Sequence, residues 1–96
     1  MVVYPVTCTM FNPDGSRDVC IIDEVFSNRS AALDHIRYMV SVSMEYEALK
    51  NGFTEVKELP NNGQVYIYYS NGRVAELWEI WKQEVYDNAE SVRQRW

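Results

Sequence analysis

A chain of 96 residues fits one domain and leaves no room for a second core. Hydrophobic residues make up 47% of it and aromatic residues 14%, which excludes a disordered chain and calls for a compact core. The formal charge of −5 counts against duplex binding, because phosphate contacts need clustered Lys and Arg.

The acidity is concentrated in the second half. Between Glu45 and Glu90, nine acids stand against four bases, Lys50, Lys57, Arg73 and Lys82. The start, Met-Val-Val-Tyr-Pro, has no basic region before an apolar run, so no signal peptide is expected. No apolar run approaches the roughly 20 residues of a membrane span. The expectation is a cytoplasmic protein with reduced thiols.

From Val2 to Phe11, Val2, Tyr4, Val6, Cys8 and Met10 alternate with Thr7 and Thr9, a strand with one buried face. Pro5 removes a ladder donor, which points to an edge strand or a bulge. Asn12-Pro13-Asp14-Gly15 then forms a type I turn whose glycine takes a bulge, pairing Asn12 with Ser16 and setting Cys8 opposite Cys20. The second strand, Arg17 to Phe26, is apolar on both faces at Val19-Cys20-Ile21-Ile22, which predicts a central position.

Ser27-Asn28-Arg29-Ser30 offers three candidate caps for a long helix over Arg29 to Asn51, closed by Gly52. Ala32, Ile36, Met39, Val40, Tyr46 and Leu49 form its apolar arc, with Asp34, Arg37, Ser41 and Glu45 opposite. Glu47 breaks this pattern: it is either a rim residue paired with Lys50 or Arg37, or a sign that the helix ends early.

Phe53 to Leu59 is a charged third strand, followed by a turn at Pro60-Asn61-Asn62-Gly63. Gln64 to Ser70 carries Val65-Tyr66-Ile67-Tyr68-Tyr69, a strong β signature. Asn71-Gly72 predicts a two-residue type I′ hairpin, with the fifth strand running from Arg73 to about Lys82. Val85, Ala89, Val92 and Trp96, with Asp87 and Glu90 as caps, suggest a short C-terminal helix. The fold expected over residues 1–96 is therefore a single α+β domain of order β-β-α-β-β-β. One antiparallel sheet of about five strands carries a long helix on one face.

A hairpin at Asn71-Gly72 pairs Tyr69 with Val74, Ile67 with Glu76 and Val65 with Trp78 on one face. On the other it pairs Tyr68 with Ala75 and Tyr66 with Leu77, in line with Trp81. If the first set meets the helix, Tyr66, Tyr68, Leu77 and Trp81 form an outer patch, with Glu76 and Glu79 as its acidic neighbours. Tyr and Trp anchor interfaces because they bury much area at small entropic cost. Exposed apolar patches of this kind mark partner sites. Aromatic sheets also stack nucleic-acid bases, but such platforms come with a positive groove. Direct nucleic-acid binding is therefore not expected.

Cys8 and Cys20 are the only cysteines and His35 is the only histidine, too few spaced ligands for a zinc site. Buried reduced thiols, no metal and no cofactor are the expectation. His35 and Asp34 are helical neighbours that point in different directions and make no pair. Asp23 and Glu24 read as solvated ends on opposite strand faces. With no nucleophile elbow, phosphate loop or carboxylate pair, no enzyme is expected.

The run Val25-Phe26-Ser27-Asn28-Arg29-Ser30-Ala31-Ala32-Leu33-Asp34-His35-Ile36 resembles a pattern in small orphan proteins of phages and mobile elements. Anti-CRISPR inhibitors are among them. The resemblance covers about one-eighth of the chain and transfers no functional residue. It implies a context in which a small acidic domain binds and blocks host defence machinery. The reading is a non-enzymatic protein-binding module, in its most concrete form an inhibitor of a nucleic-acid-handling effector. The alternative is a structural protein that self-associates as a homodimer.

Overall fold

The computed structural model describes residues 1–86; the expected C-terminal helix falls almost wholly on 87–96, outside the described residues. The chain runs β1 (Val2–Phe11), β2 (Arg17–Phe26), α1 (Arg29–Tyr46), α2 (Ala48–Asn51), β3 (Phe53–Leu59), a 3-10 turn at Pro60–Asn62, β4 (Gln64–Tyr69), β5 (Val74–Ile80) and β6 (Gln83–Glu84). Every strand pair is antiparallel. The order across the sheet is β2-β1-β5-β4-β3, with the short β6 beside the start of β1. This is the α+β architecture expected from the turn signals, one sheet with one main helix.

The order across the sheet departs from expectation at both ends of the first hairpin. β2 is an edge strand, although its apolar residues suggested a central one, and β1 lies inside the sheet between β2 and β5. Pro5 is tolerated inside because β1 changes partner there. β5 pairs from Val6 onward and β6 pairs only Val2 and Val3, so no ladder donor is needed at position 5 on that side. The gap is closed by Trp81, whose backbone N–H donates to the Pro5 carbonyl at 2.9 Å. The bulge suggested near Pro5 is present as a register shift between Val6 and Thr7.

The β1–β2 and β4–β5 hairpins turn in the same way. Asn12 N donates to Ser16 O at 2.8 Å and Gly15 N to Asn12 O at 2.9 Å; in the second hairpin Tyr69 N donates to Arg73 O at 2.8 Å and Gly72 N to Tyr69 O at 3.0 Å. These are three-residue loops ending in a left-handed glycine, Gly15 at φ 92° and Gly72 at φ 85°. The two-residue type I′ turn expected at Asn71-Gly72 would need a positive φ at Asn71, and no non-glycine residue among the described residues has one. Asn71 instead donates through Nδ2 to the Pro13 carbonyl at 2.8 Å, and Arg73 through Nη1 to the Asp14 carbonyl at 2.7 Å, which locks the two turns side by side.

A further register shift between Met10 and Phe11 moves Cys8 opposite Ile21 and sets Cys20 opposite Thr9. The expected Cys8–Cys20 pairing is thereby lost. Cys8 is buried, Cys20 is exposed, and both are free.

Asn28 is the cap that α1 uses, accepting from Ala31 N at 2.8 Å. The helix does end early: Glu47 is its C-cap, and α2 adds one further turn that Gly52 closes. Glu47 accepts from Asn51 Nδ2 at 2.9 Å, while Arg37 pairs across to Glu58 at 2.8 Å. Tyr46, the last residue of α1, is exposed, and because the break then re-aims the chain Leu49 leaves the expected apolar arc; it is 99% exposed. The core is a stripe of Ala32, Ile36 and Val40 from α1 against Val6, Cys8, Val65, Ile67, Ala75 and Trp78 from β1, β4 and β5, extended by Phe53.

Ile36 is fully buried at the centre of this stripe. Ile36→Ala should destabilise the protein by roughly 2–5 kcal/mol in chemical denaturation. Leu49→Ser should fall within about 0.5 kcal/mol of the parent, although both residues have the same apolar spacing in the sequence.

Candidate functional site

The sheet face away from α1 carries the aromatic patch. In β4 and β5, Val65 pairs with Trp78 and Ile67 with Glu76 on the helix side, while Tyr66 pairs with Leu77 on the other. Tyr68 is on that second side too, although a bulge at Ala75 sets it opposite Val74 rather than Ala75. Tyr66 and Tyr68 stack at 6.0 Å between ring centroids with 20° between their planes. The outer face continues across β1 through Thr9, opposite Leu77, and Thr7, opposite Glu79.

Trp81 extends this face beyond β5. Its indole Nε1 donates to Thr7 Oγ1 at 2.8 Å, and the side chain is 51% exposed. With Pro5, Thr7, Ile22, Lys82 and Gln83 it lines a shallow depression of about 410 Å³. Glu79 is tied to Gln64 at 3.2 Å, and Gln64 also accepts weakly from the Tyr66 hydroxyl at 3.4 Å. Five of the six expected site residues, Tyr66, Tyr68, Leu77, Trp81 and Glu79, thus share the sheet face away from α1. On the neighbouring edge strand, Lys57 stands opposite Tyr66 and Glu55 opposite Tyr68, so the rim is mixed in charge rather than acidic.

Glu76 is the exception and a correction. It faces the helix side opposite Ile67 and is only 7% exposed. Its Oε1 accepts from Trp78 Nε1 at 2.9 Å and, at the limit of hydrogen-bond length, from Ser43 Oγ at 3.5 Å. Burial pushes its carboxyl above the ordinary carboxylate range, against the opposing effect of these donors; Glu47 nearby adds to the rise. The Ile67–Glu76 pairing was already the register implied by the hairpin, so this inward position could have been read from the sequence.

Glu76 lies on a cleft of about 440 Å³ between the second half of α1 and the sheet. Asp18, Asp23 and Glu47 also line it, beside Phe11, Phe53, Tyr69 and Trp78. Tyr69 closes one side, its hydroxyl donating to the Phe11 carbonyl at 2.6 Å and its ring tilted against Phe53 at 5.6 Å. Burial raises the pKa of this phenol.

The sequence paired His35 with nothing and left Asp23 in solvent. In the fold, His35 Nε2 and Asp23 Oδ2 are 2.5 Å apart, and the imidazole lies 5.0 Å from the Phe26 ring. Asp23 continues the helix-side alternation of Val19 and Ile21, which stand opposite Met10 and Cys8. The contact fastens the edge strand to α1. Among the described residues, no group of three or more His, Cys, Asp or Glu side chains is placed to hold a metal ion, and no helix is long and apolar enough to cross a membrane. Comparison with family models, with curated proteins and with solved structures finds no match to this chain.

Two measurements check these environments. A carboxyl whose pKa is raised in the folded state costs stability above that pKa, and the cost disappears below the unfolded value. Glu76→Gln should therefore gain stability relative to the parent near neutral pH, with the difference shrinking as the pH falls through the acid range. Urea unfolding at several pH values reads this, and a difference independent of pH would refute it. The Cys8 thiol, buried and pushed up to about 12, should resist a maleimide in the native protein, while exposed Cys20 reacts. Mass spectrometry should show one adduct per folded chain and two after denaturation.

Proposed function

We propose that the protein is a non-enzymatic binding module that docks a protein partner on the helix-free face of its sheet. The observation that carries this reading is the stacked Tyr66–Tyr68 pair in line with Leu77 and the half-exposed Trp81, on a face that no helix of the described residues covers. Rigid aromatic side chains anchored on strands provide affinity with little ordering cost. The mixed rim of Glu55, Lys57, Glu79 and Lys82 suits a protein surface better than a phosphate backbone, which would demand a basic groove. In its most concrete form the module occludes a nucleic-acid-handling effector, as the phage-type resemblance implies. The net charge of −5 then serves to steer the encounter.

The test is affinity capture from the native cell with quantitative mass spectrometry. A partner enriched by the parent should be lost with Tyr68→Ala plus Trp81→Ala and retained with Leu49→Ser. Retention in the aromatic double variant would remove this face from consideration.

A further inference from the structure

The two edges of the sheet differ in a way that the outer face does not explain. β3 forms one edge, and its exposed Glu55, Lys57 and Glu58 interrupt it with charge, the usual protection of an open strand. β2 forms the other, ten residues long, and its far side meets no further strand among the described residues. Between Asp18 and Asp23 it carries the uncharged run Val19-Cys20-Ile21-Ile22. The exposure of this run is high on both faces: Val19 is 39% exposed, Ile21 40% and Ile22 73%, with Val25 beyond it at 50%. Between the bulges at Asp18 and Asp23, a row of backbone donors and acceptors flanked by apolar side chains is a template for another strand.

We propose that this edge pairs with the same edge of a second copy, antiparallel about a two-fold axis normal to the sheet. The arrangement continues the sheet across the dimer and keeps both main helices on one side. It sets the apolar run against itself and brings the exposed Arg17 of each copy opposite Glu24 of the other, with Asp18 opposite Asp23. A parallel, in-register pairing would set all of Arg17, Asp18, Asp23 and Glu24 against their like and lose the Arg17–Glu24 contacts. A second copy is thus matched in pattern and length by the edge itself, whereas an unrelated strand would have to supply both. This interface meets the aromatic face only at Ile22, which borders the depression beside Trp81; Tyr66, Tyr68 and Leu77 stay open in the dimer.

Sedimentation of the full chain over the micromolar range tests the proposal. The parent should be dimeric, and Ile21→Lys plus Ile22→Lys should weaken association by at least about tenfold while leaving the circular dichroism unchanged. Hydrogen exchange of the parent, measured above and below the dissociation range, should show added protection confined to β2; this second reading does not depend on the variant folding. A parent that stays monomeric throughout would overturn the proposal. A dimer that survives the lysine pair would do so too, as would one that Tyr68→Ala plus Trp81→Ala disperses instead. A monomer that captures an added β-strand peptide would reassign the edge to a different occupant.

Discussion

A single helix is too narrow for the sheet it must cover. Its diameter with side chains is about 10–12 Å, and neighbouring strands lie about 4.8 Å apart, so one helix shields two or three strands of a five-stranded sheet. The burial pattern follows this limit. β1, β5 and β4, the middle of the sheet, supply Val6, Cys8, Ala75, Trp78, Val65 and Ile67 to the core, whereas β2 and β3 remain largely exposed on either flank. The central stripe makes the core, and the remainder is left uncovered by any helix of the described residues.

That limit also accounts for the acidic cleft. Where α1 breaks at Glu47, the helix no longer fills the space over Met10, Phe53 and Tyr69, and carboxylates from three directions border the opening. Glu76 can remain there because Trp78 and Ser43 satisfy one of its oxygens, yet burial still raises its pKa. An apolar residue would fill the same position without that cost. The acidity that the sequence suggested for the aromatic patch is thus divided between the two sides of the sheet. The larger share lies on the helix side.

What was legible in the sequence depended on the range of the interaction involved. Turn residues such as Asn12-Pro13-Asp14-Gly15 act over a few positions, and they correctly separated the strands and set the loop of the first hairpin. Side-chain alternation in β4 correctly grouped Tyr66, Tyr68, Leu77 and Trp81 on one face. Alternation reports faces, however, and not the number of neighbours. The apolar run in β2 looked central, yet its strand is an edge, because the pairing of β1 with β5 is made between segments more than sixty residues apart. Pro5 announced the bulge beside it, but two others were equally invisible. One-residue shifts near Phe11 and Ala75 moved Cys20 away from Cys8 and Tyr68 away from Ala75 without any local Gly or Pro at the shifted strand position to announce them.

The resulting surfaces differ in the chemistry they can use. The outer face offers side chains whose backbone is already paired on both sides, so the recognition proposed for it would rest on aromatic area and its mixed-charge rim. The β2 edge offers backbone groups as well as side chains, and its specificity comes from length and register. His35 matters to the second surface although it lies outside it: its contact with Asp23, with the neighbouring Phe26 ring, ties the far end of β2 to α1. A strand held at that end by the helix and at the other by the interlocked turns is presented in a fixed twist. Fixing the strand in advance lowers the ordering cost of any pairing along it, which an unsupported hairpin arm would have to meet in full.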